Sequence, residues 1–68
     1  MAKFIVNNLR KLRFDHGEMT QQALADAVNV SRQTVVAIEK GKYSPSLEVA
    51  FKISDVFNLS IEKVFSYQ

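Results

Sequence analysis

The residues that start and stop helices constrain this chain more than anything else in it. Thr20, Ser31, Ser46 and Ser60 are each placed to accept a hydrogen bond from a free amide of a following first turn. Three of them follow an apolar residue whose mate lies inside the helix: Met19 with Leu24, Val30 with Val35, and Leu59 with Val64. That spacing is a hydrophobic staple, which fixes the angle at which the chain turns into a helix. Gly17, Asn29, Gly41 and Asn58 stand where a left-handed residue ends a helix, and Pro45 precedes the fourth start. The punctuation predicts helices over 7–16, 21–28, 32–40, 47–57 and 61–65. The connections are short, so consecutive helices pack at sharp angles in one domain over residues 1–68.

Apolar residues recur at helical spacing: Leu9 and Leu12, then Leu24, Ala25 and Val28, then Val35 and Ile38. In the fourth helix Leu47, Val49, Ala50, Phe51, Ile53, Val56 and Phe57 leave only Glu48, Lys52 and Asp55 as a polar stripe. A helix apolar nearly all round is expected to be buried nearly all round, at the domain centre or under a second subunit. The ends read differently. "KFIVN" at 3–7 and "VFSYQ" at 64–68 are β-branched and aromatic, and are expected to pair as a short antiparallel ribbon. The expected fold is therefore all-α, a compact five-helix unit with a ribbon joining the termini.

A domain of this length buries only about 60% of the surface its unfolded chain exposes. The sequence has no cysteine to staple it. Association is a common remedy, so a homodimer is expected. Phe51, Ile61, Phe65 and Tyr67 are the candidate dimer residues.

Several functions are disfavoured. No stretch is long and apolar enough to span a membrane, and "MAKFIVNNLRK" lacks the apolar core and cleavage site of a signal peptide. A cytoplasmic location without a membrane partner is expected. The one histidine, His16, sits near a helix end, where a surface or capping role is the ordinary one. No pair of histidines and no carboxylate cluster has metal-ligand spacing, and no glycine-rich phosphate loop is present. The serines are explained by caps and turns. Neither an enzyme nor a metal, cofactor or small-molecule ligand is expected. The net charge of +2 decides little, but its distribution is informative. Residues 1–13 hold Lys3, Arg10, Lys11 and Arg13 with no acid, and Arg32, Lys40 and Lys42 meet only Glu39. Such clusters can follow a phosphate backbone.

The second and third helices are short and joined by "VNVS". Asn29 makes the turn, Val30 plugs the corner and Ser31 caps the next helix. This is helix-turn-helix spacing. In that motif the second helix lies in the DNA major groove and its first residues touch base edges. Arg32, Gln33 and Thr34 occupy that front. Arginine grips guanine through O6 and N7, and glutamine grips adenine through N6 and N7. One turn on, Val36 and Ala37 are placed to meet a thymine methyl.

The stretch "MTQQALADAVNVSRQTVVAIEKGKYSPSLEVAFKI" resembles the lambda-repressor-like, or Cro/C1-type (XRE), helix-turn-helix domain. The terminal "FIVNNLRKLR" and "VFSYQ" resemble a small subgroup of stand-alone dimeric repressors. The resemblance implies a double-stranded DNA partner and a role for each position. Arg32, Gln33, Val36 and Ala37 would face bases. Gln21 would bond a phosphate and brace Gln33. Ser31, Thr34, Lys40, Lys42 and Tyr43 would hold the backbone, with Arg10 and Lys11 as further phosphate candidates. Arg13 and Glu39 match a family ion pair between the first and third helices, which takes Arg13 off the DNA surface. Asn29 and Asn58 replace the usual glycines, and "HGEMT" is one residue longer than the commonest first turn. The implied function is a homodimeric, sequence-specific transcription regulator, a repressor on an inverted-repeat operator. The competing readings are an antitoxin or another protein-binding module on the same fold, and a degenerate motif used only for assembly. The intact Gln21, Arg32 and Gln33 speak against the second of these.

Overall fold

The computed structural model describes residues 3–68. In chain order the elements are β1 (Ile5–Asn7), α1 (Leu9–Asp15), α2 (Gln21–Val28), α3 (Arg32–Glu39), α4 (Leu47–Phe57), α5 (Ile61–Val64) and β2 (Phe65–Tyr67). The five helices and the terminal ribbon agree with the sequence-based expectation, with shifts at their ends.

The caps follow side-chain chemistry. The hydroxyls of Thr20, Ser31 and Ser46 accept from the amides of Ala23, Thr34 and Val49. Ser60 departs from expectation, because its side chain makes no cap bond. Asn29, Gly41 and Asn58 all take left-handed backbone angles, with φ of 61°, 74° and 54°. Behind each, the next amide reaches back to close the helix: Val30 N–H to the Ala25 carbonyl, Lys42 to Ala37, and Leu59 to Ser54. Those bonds satisfy carbonyls that the helix end leaves free. The long first turn takes a less common form. Gly17 and Glu18 are both left-handed, at φ 73° and 56°. Together they bring the Met19 amide back to the Arg13 carbonyl at 2.8 Å.

The first helix begins at Leu9, two residues later than expected. Asn7 belongs instead to β1, and its side chain has two partners. Its Oδ1 accepts from the Leu9 amide at 3.1 Å, and its Nδ2 donates to the Ile38 carbonyl at 2.8 Å. One asparagine therefore ties the ribbon to the start of α1 and the end of α3. The strands are shorter than the predicted 3–7 and 64–68. They pair antiparallel with Ile5 opposite Tyr67, Val6 opposite Ser66 and Asn7 opposite Phe65. Phe4 and Gln68 add an exchanged pair of backbone hydrogen bonds beyond them.

The core collects Leu9, Leu24, Ala25, Val28, Val35, Ile38, Ile53, Phe57 and Val64, drawn from all five helices. Burying each large aliphatic side chain contributes about 1.5–3 kcal/mol. The half-buried Leu12, Met19, Val30, Val49, Val56 and Phe65 pack around it. The rings of His16 and Phe57 meet edge to face, with centroids 5.6 Å apart. The expectation that α4 is buried nearly all round needs correcting. Ala50, Ile53 and Phe57 are buried, but Leu47 is 69% exposed and Phe51 53%. The helix packs chiefly on α2 and α5, and Leu47 and Phe51 are left open to solvent.

Candidate nucleic-acid interface

The outer surface of α3 is set by what its inner surface buries. Val35 and Ile38 are almost fully buried and fix the rotation of the helix on the domain. Arg32, Gln33 and Lys40 are then exposed, and Thr34, Val36 and Ala37 half-buried. The helix stands as a ridge between two grooves. One, of about 570 Å³, lies between α1, the start of α2 and α3. Arg10, Gln21, Gln22, Arg32, Val36 and Lys40 line it. The other, of about 280 Å³, is lined by Ser31, Gln33, Thr34, Ala37 and Tyr43. Helical spacing explains the division: Arg32, Val36 and Lys40 follow one another at i, i+4, i+8, and Gln33 and Ala37 form the neighbouring row.

The larger groove is floored by an ion pair. Arg13 Nε donates to Glu39 Oε2 at 2.6 Å and its Nη2 to Oε1 at 2.9 Å. The third nitrogen, Nη1, donates to the Met19 carbonyl at 2.9 Å. The side chains are only 14% and 9% exposed. Glu39 is the one carboxylate in the groove lining, and Arg13 neutralises it, so the charge presented outward is that of Arg10, Arg32 and Lys40. Guanidinium and ammonium groups offer donors only, and Val36 offers apolar surface. Such a concave surface attracts anions and can meet both phosphate oxygens and base edges.

Several expected site residues sit differently. Gln21 lines the larger groove and Gln33 the smaller one. The Gln21 Nε2 donates to Glu39 Oε1 at 3.2 Å. Thr34 shares its hydroxyl with that of Ser31 at 2.9 Å, which completes the cap. Lys11 does not join the groove. It faces Asp15 at 3.5 Å, one turn along α1, with both side chains exposed. Lys42 is exposed and lines neither groove, and Tyr43 borders the smaller one. Of the two α1 candidates only Arg10 reaches the recognition groove. Gln22 was not expected there. It also lines the groove, with its amide held on Asp26 at 2.9 Å. The signal was available, since Gln22 is the second residue of α2, next to Gln21.

The candidate dimer residues form no single class. Phe51 and Tyr67 are exposed, and Ile61 and Phe65 are half-buried. Tyr67 has Lys3 stacked 5.5 Å over its ring. No helix of the described residues is long and apolar enough to cross a membrane.

Comparison with known proteins agrees with this geometry. Residues 9–64 match the helix-turn-helix family. The chain is 52% identical over 62 residues to the uncharacterized HTH-type transcriptional regulator MJ0272 of Methanocaldococcus jannaschii, covering 91% of this chain and 92% of that one. It is 30% identical over 60 residues to the cryptic phage CTXphi transcriptional repressor RstR of Vibrio cholerae, covering 88% of this chain and 53% of RstR. The crystal structure of the transcriptional regulator VanUg superposes with a TM-score of 0.81 at 26% identity, over all of this chain and 89% of that one.

Proposed function

Because the chain belongs to the helix-turn-helix family of transcriptional regulators, we propose that it acts as a homodimeric repressor on an inverted-repeat operator. The observation that carries this reading is the α3 ridge, with arginine and glutamine at its exposed front and a donor-lined groove beside it. Arg32 and Val36 read bases from one flank, Gln33 and Ala37 from the other. Lys40, Lys42, Arg10, Gln21, Tyr43 and the amide at Ser31 hold phosphates. Thr34 and Lys11 play a lesser part: the Thr34 hydroxyl is taken up in the cap with Ser31, and Lys11 lies outside the recognition groove.

Two copies place their recognition helices in successive major grooves, roughly 34 Å apart. The open face of α4 with Leu47 and Phe51, continued by Ile61, Phe65 and Tyr67, is the surface on which they meet. The repressive direction is carried over from the description of RstR as a repressor. The protein works in the cytoplasm, where its DNA is.

Selection of bound sequences from a random DNA pool, followed by gel shifts over a salt series, tests this. An enriched inverted repeat with half-sites one helical turn apart is the expected result. Binding that is sequence-blind at every salt concentration overturns it.

A further inference from the structure

A third groove lies between α1 and the end of α3, beside the recognition groove. It has a volume of about 450 Å³ and is lined by Asn7, Asn8, Arg10, Lys11, Phe14 and Glu39. Phe14 is 66% exposed and lies outside the set of residues packed against the core. Much of the polar floor is already occupied. Both side-chain groups of Asn7 are bonded, to Leu9 and Ile38. Both oxygens of Glu39 are held by Arg13, one of them also by Gln21. What stands open is an aromatic ring between two cations. Arg10 has no ion-pair partner among the described residues, and Lys11 has only the exposed, 3.5 Å contact with Asp15.

The geometry points to a docking site for a short acidic, apolar segment of a partner protein, one whose engagement excludes DNA. The chemistry of the lining selects that occupant. Arg10 and Lys11 offer only donors and positive charge, so they ask for carboxylates. Phe14 asks for an aliphatic or aromatic side chain, which a phosphate backbone does not supply. Arg10 and Phe14 are one helical turn apart and share a face of α1, so one segment meets both. The volume fits a few side chains. Arg10 also lines the recognition groove, so a carboxylate held there removes a cation from the DNA surface and adds negative charge beside it. Release of DNA by a protein signal follows.

Phage-displayed random short peptides, panned on the wild-type protein and counter-selected on Phe14→Ala, test the site directly. Enriched peptides are expected to place Asp or Glu beside Leu, Ile or Phe. In synthetic form they should shift the amide resonances of Asn8, Arg10, Lys11 and Phe14. Phe14→Ala should keep its helical circular dichroism and its DNA affinity, and should lose about tenfold or more in peptide affinity. Duplex DNA should displace the peptide. No enrichment over Phe14→Ala overturns the site, as does mapping of the peptides to Phe51 and Tyr67. Concentration-dependent shifts at the same amides without peptide assign the groove to a second copy instead, which also overturns it. Only the displacement arm rests on the DNA reading. Peptide binding without DNA competition leaves the groove standing and overturns the exclusion.

Discussion

Arg13 and Glu39 meet side-on across the α1–α3 junction, with two guanidinium nitrogens on the two oxygens of one carboxylate. Both are largely buried, and each has a further partner: Met19 for the arginine, Gln21 for the glutamate. The pair therefore ties together four points: the end of α1, the turn leading into α2, the start of α2 and the end of α3. It sets the angle of the recognition helix while taking no direct part in the donor surface above it.

Removing one partner strands the other charge. Arg13→Met is expected to lower the unfolding free energy by about 3–5 kcal/mol, a large share of the stability of so small a domain. The double change Arg13→Met with Glu39→Met should recover most of that loss, because apolar surface then replaces both charges. Urea denaturation followed by circular dichroism measures both. Equal losses in the single and double variants would mean that the pair is replaceable without penalty by neither route, and the stranded-charge account would fail.

Arg32 and Gln33 are neighbours in sequence but face different grooves. Their contributions to readout should therefore fall on different base pairs. Arg32→Ala and Gln33→Ala are each expected to cost about 1–3 kcal/mol on the preferred operator and to relax preference at separate positions. Sequence selection repeated with each variant would reveal this. Loss of preference at one shared position in both variants would contradict the two-flank arrangement.

Charge, by contrast, should act uniformly. Lys40→Ala and Arg10→Ala should each weaken binding to all duplexes alike and reduce the salt slope by about 1. Lys11→Ala should do much less, since that ammonium lies outside the recognition groove and beside Asp15. Gel shifts on operator and random duplexes across a salt series give the three slopes. A Lys11 effect as large as that of Arg10 would relocate the phosphate track to the outer face of α1.

Much of this was legible in the sequence because it is local. Thr20, Ser31 and Ser46 cap as their chemistry dictates, and Asn29, Gly41 and Asn58 end helices because each adopts left-handed angles at low cost. Met19 and Val30, the staple residues before α2 and α3, pack against the core. What escaped depends on long-range geometry. Asn7 spans 31 residues to reach the Ile38 carbonyl, and no local pattern announces that bond. The side of α3 that Gln21 faces is fixed by how α2 crosses α3, which spacing alone does not determine. The exposure of Leu47 and Phe51 depends on the neighbours of α4, not on its own composition.

Those two residues carry the last prediction. Leu47 and Phe51 lie one turn apart on α4 and expose large apolar surface on a domain with little else to cover it. Exposed apolar side chains scattered singly are ordinary, but two large ones on the same helix face make a candidate contact surface. Substituting Phe51→Glu puts a charge into that surface without touching the core, since the side chain is more than half exposed. The expected outcome is an unchanged helical spectrum and a monomer in sedimentation at concentrations where the wild type is a dimer. Binding to a full inverted repeat should fall toward that of a single half-site, because the second recognition helix is no longer tethered to the first. Half-site binding should stay the same, as α4 lies away from the α3 ridge. A Phe51→Glu protein that still sediments as a dimer and still distinguishes the full repeat from the half-site would place the interface elsewhere, with the outer face of the terminal ribbon as the next surface to test.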